Sequence, residues 1–174
     1  MVSFTDLTMD SVFDLAGLST EDFIDQILAR FHEVHRRQFP EAIALARQVE
    51  AVRAGHPSAP IGLADHLSIM ADRLEGHQQK EERILFPLLR KGDVGAAAMP
   101  MARMSAEHRD VGDELRRLSE LTNGFRVPDG ACGAWRALVE ACRDIRDHLT
   151  AHMSAEDDEL FARFRGGGTG GARP

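Results

Sequence analysis

Seven ionisable side chains fall where a packed helical seam calls for leucine. Leu63, Leu67, Met70, Leu74, His77, Glu81, Ile84 and Leu88 follow an alternating step of four and three, and Leu138, Cys142, Ile145, Leu149, His152, Glu156 and Leu160 nearly repeat it. A third stretch, Met101, Met104, His108, Val111, Leu115 and Leu118, carries one histidine in its seam. A fourth, Ile24, Leu28, His32, His35 and Phe39, carries two. His77 and Glu81, like His152 and Glu156, are four residues apart, which stacks each pair on one helix face about 6 Å apart along the axis. Buried imidazole and carboxylate without partners cost several kcal/mol each, so a seam of this kind needs a compensating charge. A pair of metal ions meets that need.

The periodicity predicts helices over residues 20–53, 60–91, 99–123 and 129–163, with short connections that make neighbours antiparallel. The expected fold is all-α: an up-down-up-down four-helix bundle over 19–165, a short N-terminal helical extension in 1–18 (a helix near 9–16) and a disordered Gly-rich tail in 166–174. Ser19 with Asp22 reads as the cap that opens the first helix. Pro40 should kink that helix without ending it, and Pro87 should bend the second. Residues 91–98 read as a loop, Asn123-Gly124 as a C-cap, and Pro128-Asp129 as the start of the fourth helix. Depths counted from the common end, at 1.5 Å per residue, are roughly 18 Å for His32, 15 to 21 Å for His77 and Glu81, 14 Å for His108, and 11 to 17 Å for His152 and Glu156. All six fall in one layer.

Composition narrows the function classes. The 174 residues, 43% hydrophobic and with nine Phe, one Trp and no Tyr, suit one helical domain with a sizeable core. A net charge of -7 argues against sequence-independent nucleic-acid binding. No stretch approaches about 20 apolar residues and the N-terminus has no leader pattern, so no membrane association and a cytoplasmic location are expected. Cys132 and Cys142, ten residues apart on one predicted helix, are beyond disulfide reach and read as ordinary packing residues.

Imidazole and carboxylate without thiolate suit iron, manganese or zinc. Four histidines and two carboxylates satisfy two ions if Glu81 and Glu156 bridge, so that each ion receives two His and two carboxylate oxygens. An oxo or hydroxo bridge brings each to five and leaves one octahedral position open to a small molecule. Acid should release such ions toward pH 5, because unperturbed imidazole titrates near ~6.5. His35 and His148 are each one turn from a layer histidine and read as hydrogen-bond partners of the ligands, with His35 an alternative ligand. His56 and His66 carry no role. Glu107 and Asp110 flank His108 and could line an access route. The acidic run 156–159 beyond Glu156 reads as solvated face, and Met70, Met101, Met104 and Met153 as packing.

The segments FHEVHRRQFPE, GHQQKEERILFPLLRKG, SAEHRDVGDEL and HLTAHMSAEDDELF, in that order, resemble hemerythrin-like proteins and more closely the bacterial di-iron iron-sulfur cluster repair family. The resemblance runs from about Phe23 to Phe164. It implies a non-haem di-iron centre on His32, His77, Glu81, His108, His152 and Glu156. It also implies a role in nitric-oxide or oxidative stress, by iron donation to damaged iron-sulfur proteins or by nitric-oxide reduction. Repair proteins usually carry an N-terminal Cys-Cys domain, whereas this chain begins almost directly at the bundle. Relative to oxygen carriers, Gly112 stands where a second third-helix histidine is expected, freeing a coordination position. Asp157 has the carrier spacing from His152 and Glu156 the repair-protein spacing; seam phase favours Glu156. The competing function is a module that binds or senses dioxygen or nitric oxide without turnover.

Overall fold

The computed structural model describes residues 17–165. The expected helix near 9–16 and the Gly-rich tail lie outside the described residues. Four long helices account for almost all of the rest, and no strand occurs among the described residues. Helix α1 covers 20–53, as Thr20–Ile27, a π-helical turn Leu28–His32, and Glu33–Arg53. Helix α2 covers 63–90, as Leu63–Lys80, a π-helical turn Glu81–Leu85, and Phe86–Arg90. Helix α3 is Val94–Leu121, and α4 covers 133–160, as Gly133–Ser154 and a π-helical turn Ala155–Leu160. A short α5, Ala162–Arg165, follows. Helix α1 packs most extensively against α2 and α4, and α3 closes the bundle on the other side.

The helix ends follow local chemistry. Ser19 Oγ accepts the Asp22 amide at 3.1 Å, as a cap should. Pro40 lies within α1 without ending it. Residues 94–98, expected as loop, are already helical, because Asp93 accepts the Ala96 amide at 3.0 Å and the alanines after it favour helix. Helix α4 starts at Gly133 rather than at 129, since Gly130 takes a positive φ of 73° that no helix continues through. Asn123 and Gly124 at the end of α3 adopt φ of 51° and 69°, with the Gly124 amide closing on Ser119 at 2.7 Å.

The three π-helical turns change the seam. Each holds an i to i+5 bond, from Glu33 to Leu28, Phe86 to Glu81 and Phe161 to Glu156, and so inserts one residue into the helical count. After the insertion in α2 the inward face moves on by one. Ile84, expected in the seam, is 53% exposed, while Leu85 and Leu89 are buried. In α1, Leu28 is only half-buried and Ile27 and Phe31 fill the core instead.

The core is divided in two. One apolar cluster gathers Phe39, Leu63, Leu67, Met70, Trp135, Leu138 and Ile145 toward one end. The other gathers Phe23, Ile27, Phe31, Leu85, Phe86, Met104 and Phe161 toward the opposite end. The buried histidines and glutamates lie where these clusters part.

Candidate metal centre

His32, His77, Glu81, His108, His152 and Glu156 converge as two overlapping groups. His32 and His152 form one group with both glutamates, His77 and His108 the other, and within each group one ligating atom per residue lies within 4.8 Å of the rest. Each carboxylate divides its oxygens between the groups. Glu81 presents Oε2 to His32 Nε2 at 3.4 Å and Oε1 to His77 Nε2 at 3.1 Å. Glu156 presents Oε1 to His152 Nε2 at 3.1 Å and Oε2 to His108 Nε2 at 3.2 Å.

Hydrogen bonding accounts for one of these approaches, His152 Nε2 to Glu156 Oε1, and leaves the others unexplained. Both Glu81 oxygens, Glu156 Oε2 and His32 Nε2 are buried without a hydrogen-bond partner. His77 Nε2 and His108 Nε2 stand 3.1 Å apart, while the Nδ1 of each faces a carboxylate. If each Nδ1–H donates to its carboxylate, two bare lone pairs are left pointing at one another. Adjacent ligands on one ion with bonds of ~2.1 Å at right angles are ~3 Å apart, so these separations and orphaned atoms fit cations.

Outside this layer sit the partners of the rings. His32 Nδ1 donates to Glu82 Oε1 at 2.8 Å, which Arg36 also holds at 2.8 Å. His77 Nδ1 donates to Glu107 Oε2 at 3.1 Å, and Lys80 and Arg103 hold Glu107. His108 Nδ1 donates to Asp157 Oδ2 at 2.7 Å, with Ser105 and Arg165 on that carboxylate. Such pairs fix tautomer and ring orientation and raise ligand basicity.

Burial pulls the pKa of His32 and of His77 down from 6.5 to about 4, so both rings are neutral well below pH 6. Acid competition at these rings therefore sets in nearer pH 4 than the expected pH 5. Burial opposes charge on His108 too, but Glu156 and then Asp157 outweigh it and its pKa is raised. Burial and the neighbouring Glu156 push Glu81 well up. Glu156 is held well down despite its burial, by His152 and His108. A layer without cations thus retains protons that cations would displace.

The sequence profile of the hemerythrin HHE cation-binding domain matches residues 24–164. The chain belongs to the hemerythrin HHE family. It is 42% identical over 150 residues to the iron-sulfur cluster repair protein YtfE of Dickeya chrysanthemi, covering 86% of this chain and 68% of that protein. YtfE of Cronobacter sakazakii is 40% identical over 146 residues, covering 84% and 66%. The repair protein DnrN of Neisseria gonorrhoeae is 43% identical over 140 residues, covering 80% and 88%. The chain thus spans about two thirds of the length of these YtfE proteins. Its family and its buried His and Glu group fit a metal site suited to iron.

The remaining residues of this hemerythrin-like domain divide clearly. His35 is buried, with Nδ1 against Gln78 Nε2 at 3.1 Å and its ring 5.3 Å from that of His152. His148 reaches Gln38, not the layer, at 2.6 Å. His56 packs on Trp135, and His66 meets the Glu114 carbonyl, away from the site. Cys142 is a buried free thiol and Cys132 a half-buried one. Asp157, expected on solvated face, and Glu82, for which the sequence offers no role, both accept hydrogen bonds from histidines of the buried layer. The usable signal was the doubled acid in Glu81-Glu82 and Glu156-Asp157. Glu107 and Asp110 line a cavity of about 820 Å³ between α2 and α3, with His77 and Lys80 also in its wall. No helix among the described residues is long and apolar enough to cross a membrane.

Proposed function

We propose that a bundle domain spanning 19–165 holds two iron ions, one between His32 and His152 and one between His77 and His108, bridged by Glu81 and Glu156. On this reading it serves iron-sulfur cluster repair under nitric-oxide or oxidative stress, by giving up iron or by handling nitric oxide at an open position. The observation that carries the reading is the division of each carboxylate between the two histidine pairs. The names of its relatives point to the same process. Iron-sulfur proteins are the proposed partners, and a diatomic molecule the proposed ligand.

When bound, the ions would supply a redox-active, Lewis-acidic pair with exchangeable positions. The chain's own residues prepare for this. Burial keeps the His32 and His77 rings neutral, with lone pairs available. Glu82, Glu107 and Asp157 orient the rings. Apolar clusters on both sides limit water, and the cavity beside His77 and Glu107 offers a route for a small ligand.

Metal analysis with an optical spectrum of freshly purified protein tests the reading. The expected result is two irons per chain with charge-transfer bands of a bridged di-iron centre. Manganese in that ratio would keep the site and change the chemistry, while stoichiometric zinc without a chromophore would overturn the redox function.

A further inference from the structure

The layer has approximate twofold symmetry, and the symmetry fails at one ligand. His32 and His108 correspond. Each stacks on the phenylalanine five residues after a bridging glutamate, Phe86 at 5.8 Å and Phe161 at 6.1 Å between centroids. Each donates Nδ1 to the acid directly after a bridging glutamate, Glu82 at 2.8 Å and Asp157 at 2.7 Å. His77 and His152 correspond as well, each with Nε2 3.1 Å from the glutamate four residues on. The residue before His108 is Glu107, and it accepts the His77 Nδ1 hydrogen. The residue before His32 is Phe31. Its ring stacks on His152 at 5.1 Å and 10°, and it offers no acceptor.

His152 Nδ1 is accordingly buried without a partner. The neighbouring His35 does not repair this, since its own Nε2 is also buried and unpartnered. The His77/His108 position therefore has two carboxylate-backed rings, with Lys80, Arg103 and Arg165 behind the carboxylates. The His32/His152 position has one.

Resting on the two-ion reading, the geometry points to two unequal metal positions: the His77/His108 position fills first, and the His32/His152 position binds its ion more weakly and is the one that yields it. Loss of one such outer partner lowers metal affinity by about 10- to 100-fold, and that is the expected gap between the two steps. Partly loaded protein then carries a single ion between His77 and His108.

The test is an anaerobic ferrous iron titration of the full chain against a competing chelator, with Mössbauer spectra at one and at two equivalents of ⁵⁷Fe. The wild type should bind in two resolved steps, one quadrupole doublet appearing before the other. Glu107→Gln should weaken the tighter step about 10- to 100-fold until the steps merge, leaving the weaker step and its doublet unmoved. Phe31→Glu, which supplies the missing acceptor, should strengthen only the weaker step. Glu107 is partly exposed, so its variant is fold-safe and decides the matter even if Phe31→Glu fails to fold. Coincident steps in the wild type, or an effect of Glu107→Gln on the weaker step, would overturn the inequality. Saturation below two irons per chain would instead remove the two-ion reading, and this inference with it.

Discussion

Glu156 and Asp157 are neighbours of nearly the same chemistry, and one helical step of about 100° separates their roles. Glu156 is fully buried between His152 and His108, while Asp157, about a quarter exposed, reaches only the outer nitrogen of His108. On the proposed two-ion reading, replacing Glu156, or its counterpart Glu81, removes one oxygen from each position at once. Glu156→Ala and Glu81→Ala should therefore emerge from purification essentially without metal. Asp157→Ala should still load under excess iron, with affinity reduced about 10- to 100-fold. Plasma emission measurements of iron per chain distinguish these outcomes, and equal loss in all three variants would sink the carboxylate assignment. Seam phase made Glu156 legible in the sequence. The role of Asp157 was not legible, because an acid on the outer half of a helix looks solvated until the neighbouring helix brings a histidine to it.

At the scale of the element, the π-helical turns explain both what the sequence pattern conveyed and where it slipped. Spacing placed His77 with Glu81 and His152 with Glu156 on inward faces, because each histidine lies in a regular segment and its glutamate falls at or next to the first residue of the π-helical turn that follows. Beyond each glutamate a regular count fails by one residue in α2, which is why Ile84 was expected inside and Leu85 is found there. Periodicity has no term for an inserted residue. This makes a paired deletion informative in α4. Asp158 is exposed in the π-helical turn Ala155–Leu160, and Asp147 is exposed in the regular segment Gly133–Ser154. Deleting Asp158 should return the turn to α-helical count, with His152 and Glu156 still facing inward. Deleting Asp147 should rotate that pair by about 100° away from the seam of Leu138, Cys142 and Ile145. The first variant is expected to keep helicity and bind metal, and the second to lose metal binding. Circular dichroism with iron content reads both. If the Asp158 deletion loses metal as fully as the Asp147 deletion, the turn is not a separable insertion.

For the whole molecule, a polar layer between two apolar clusters makes stability a question of which charges the layer holds. Burial holds His32 and His77 down to about 4, and lowers His35 and His148, from an unfolded value of 6.5. Between about pH 4 and 6.5 His32 and His77 leave the unfolded chain with more protons than the folded one, so stability rises with pH there, by up to ~3 kcal/mol for each, and His35 and His148 act in the same direction. Glu81 and His108 have raised pKa values and act in the opposite sense. Their stabilisation is present at low pH and is lost as pH rises through the folded values, Glu81 opposing the histidines from its unfolded value of 4.5 upward and His108 acting above 6.5. Metal-free protein should consequently be most stable near pH 6 to 6.5 and less so on either side. Metal removes the alkaline penalty, because it replaces the protons on Glu81 and His108, and binding stabilises a site formed only in the folded bundle. The melting temperatures of loaded and chelated protein should thus diverge progressively from pH 6.5 to 8.5, and the metal-free curve alone should pass through a maximum. Thermal melts at pH 5, 6.5 and 8, with and without chelator and with metal content measured on the same samples, test both parts. Superimposed curves, with metal loss confirmed, would mean that the layer is neutralised by protein groups alone and that bound metal contributes nothing to the fold.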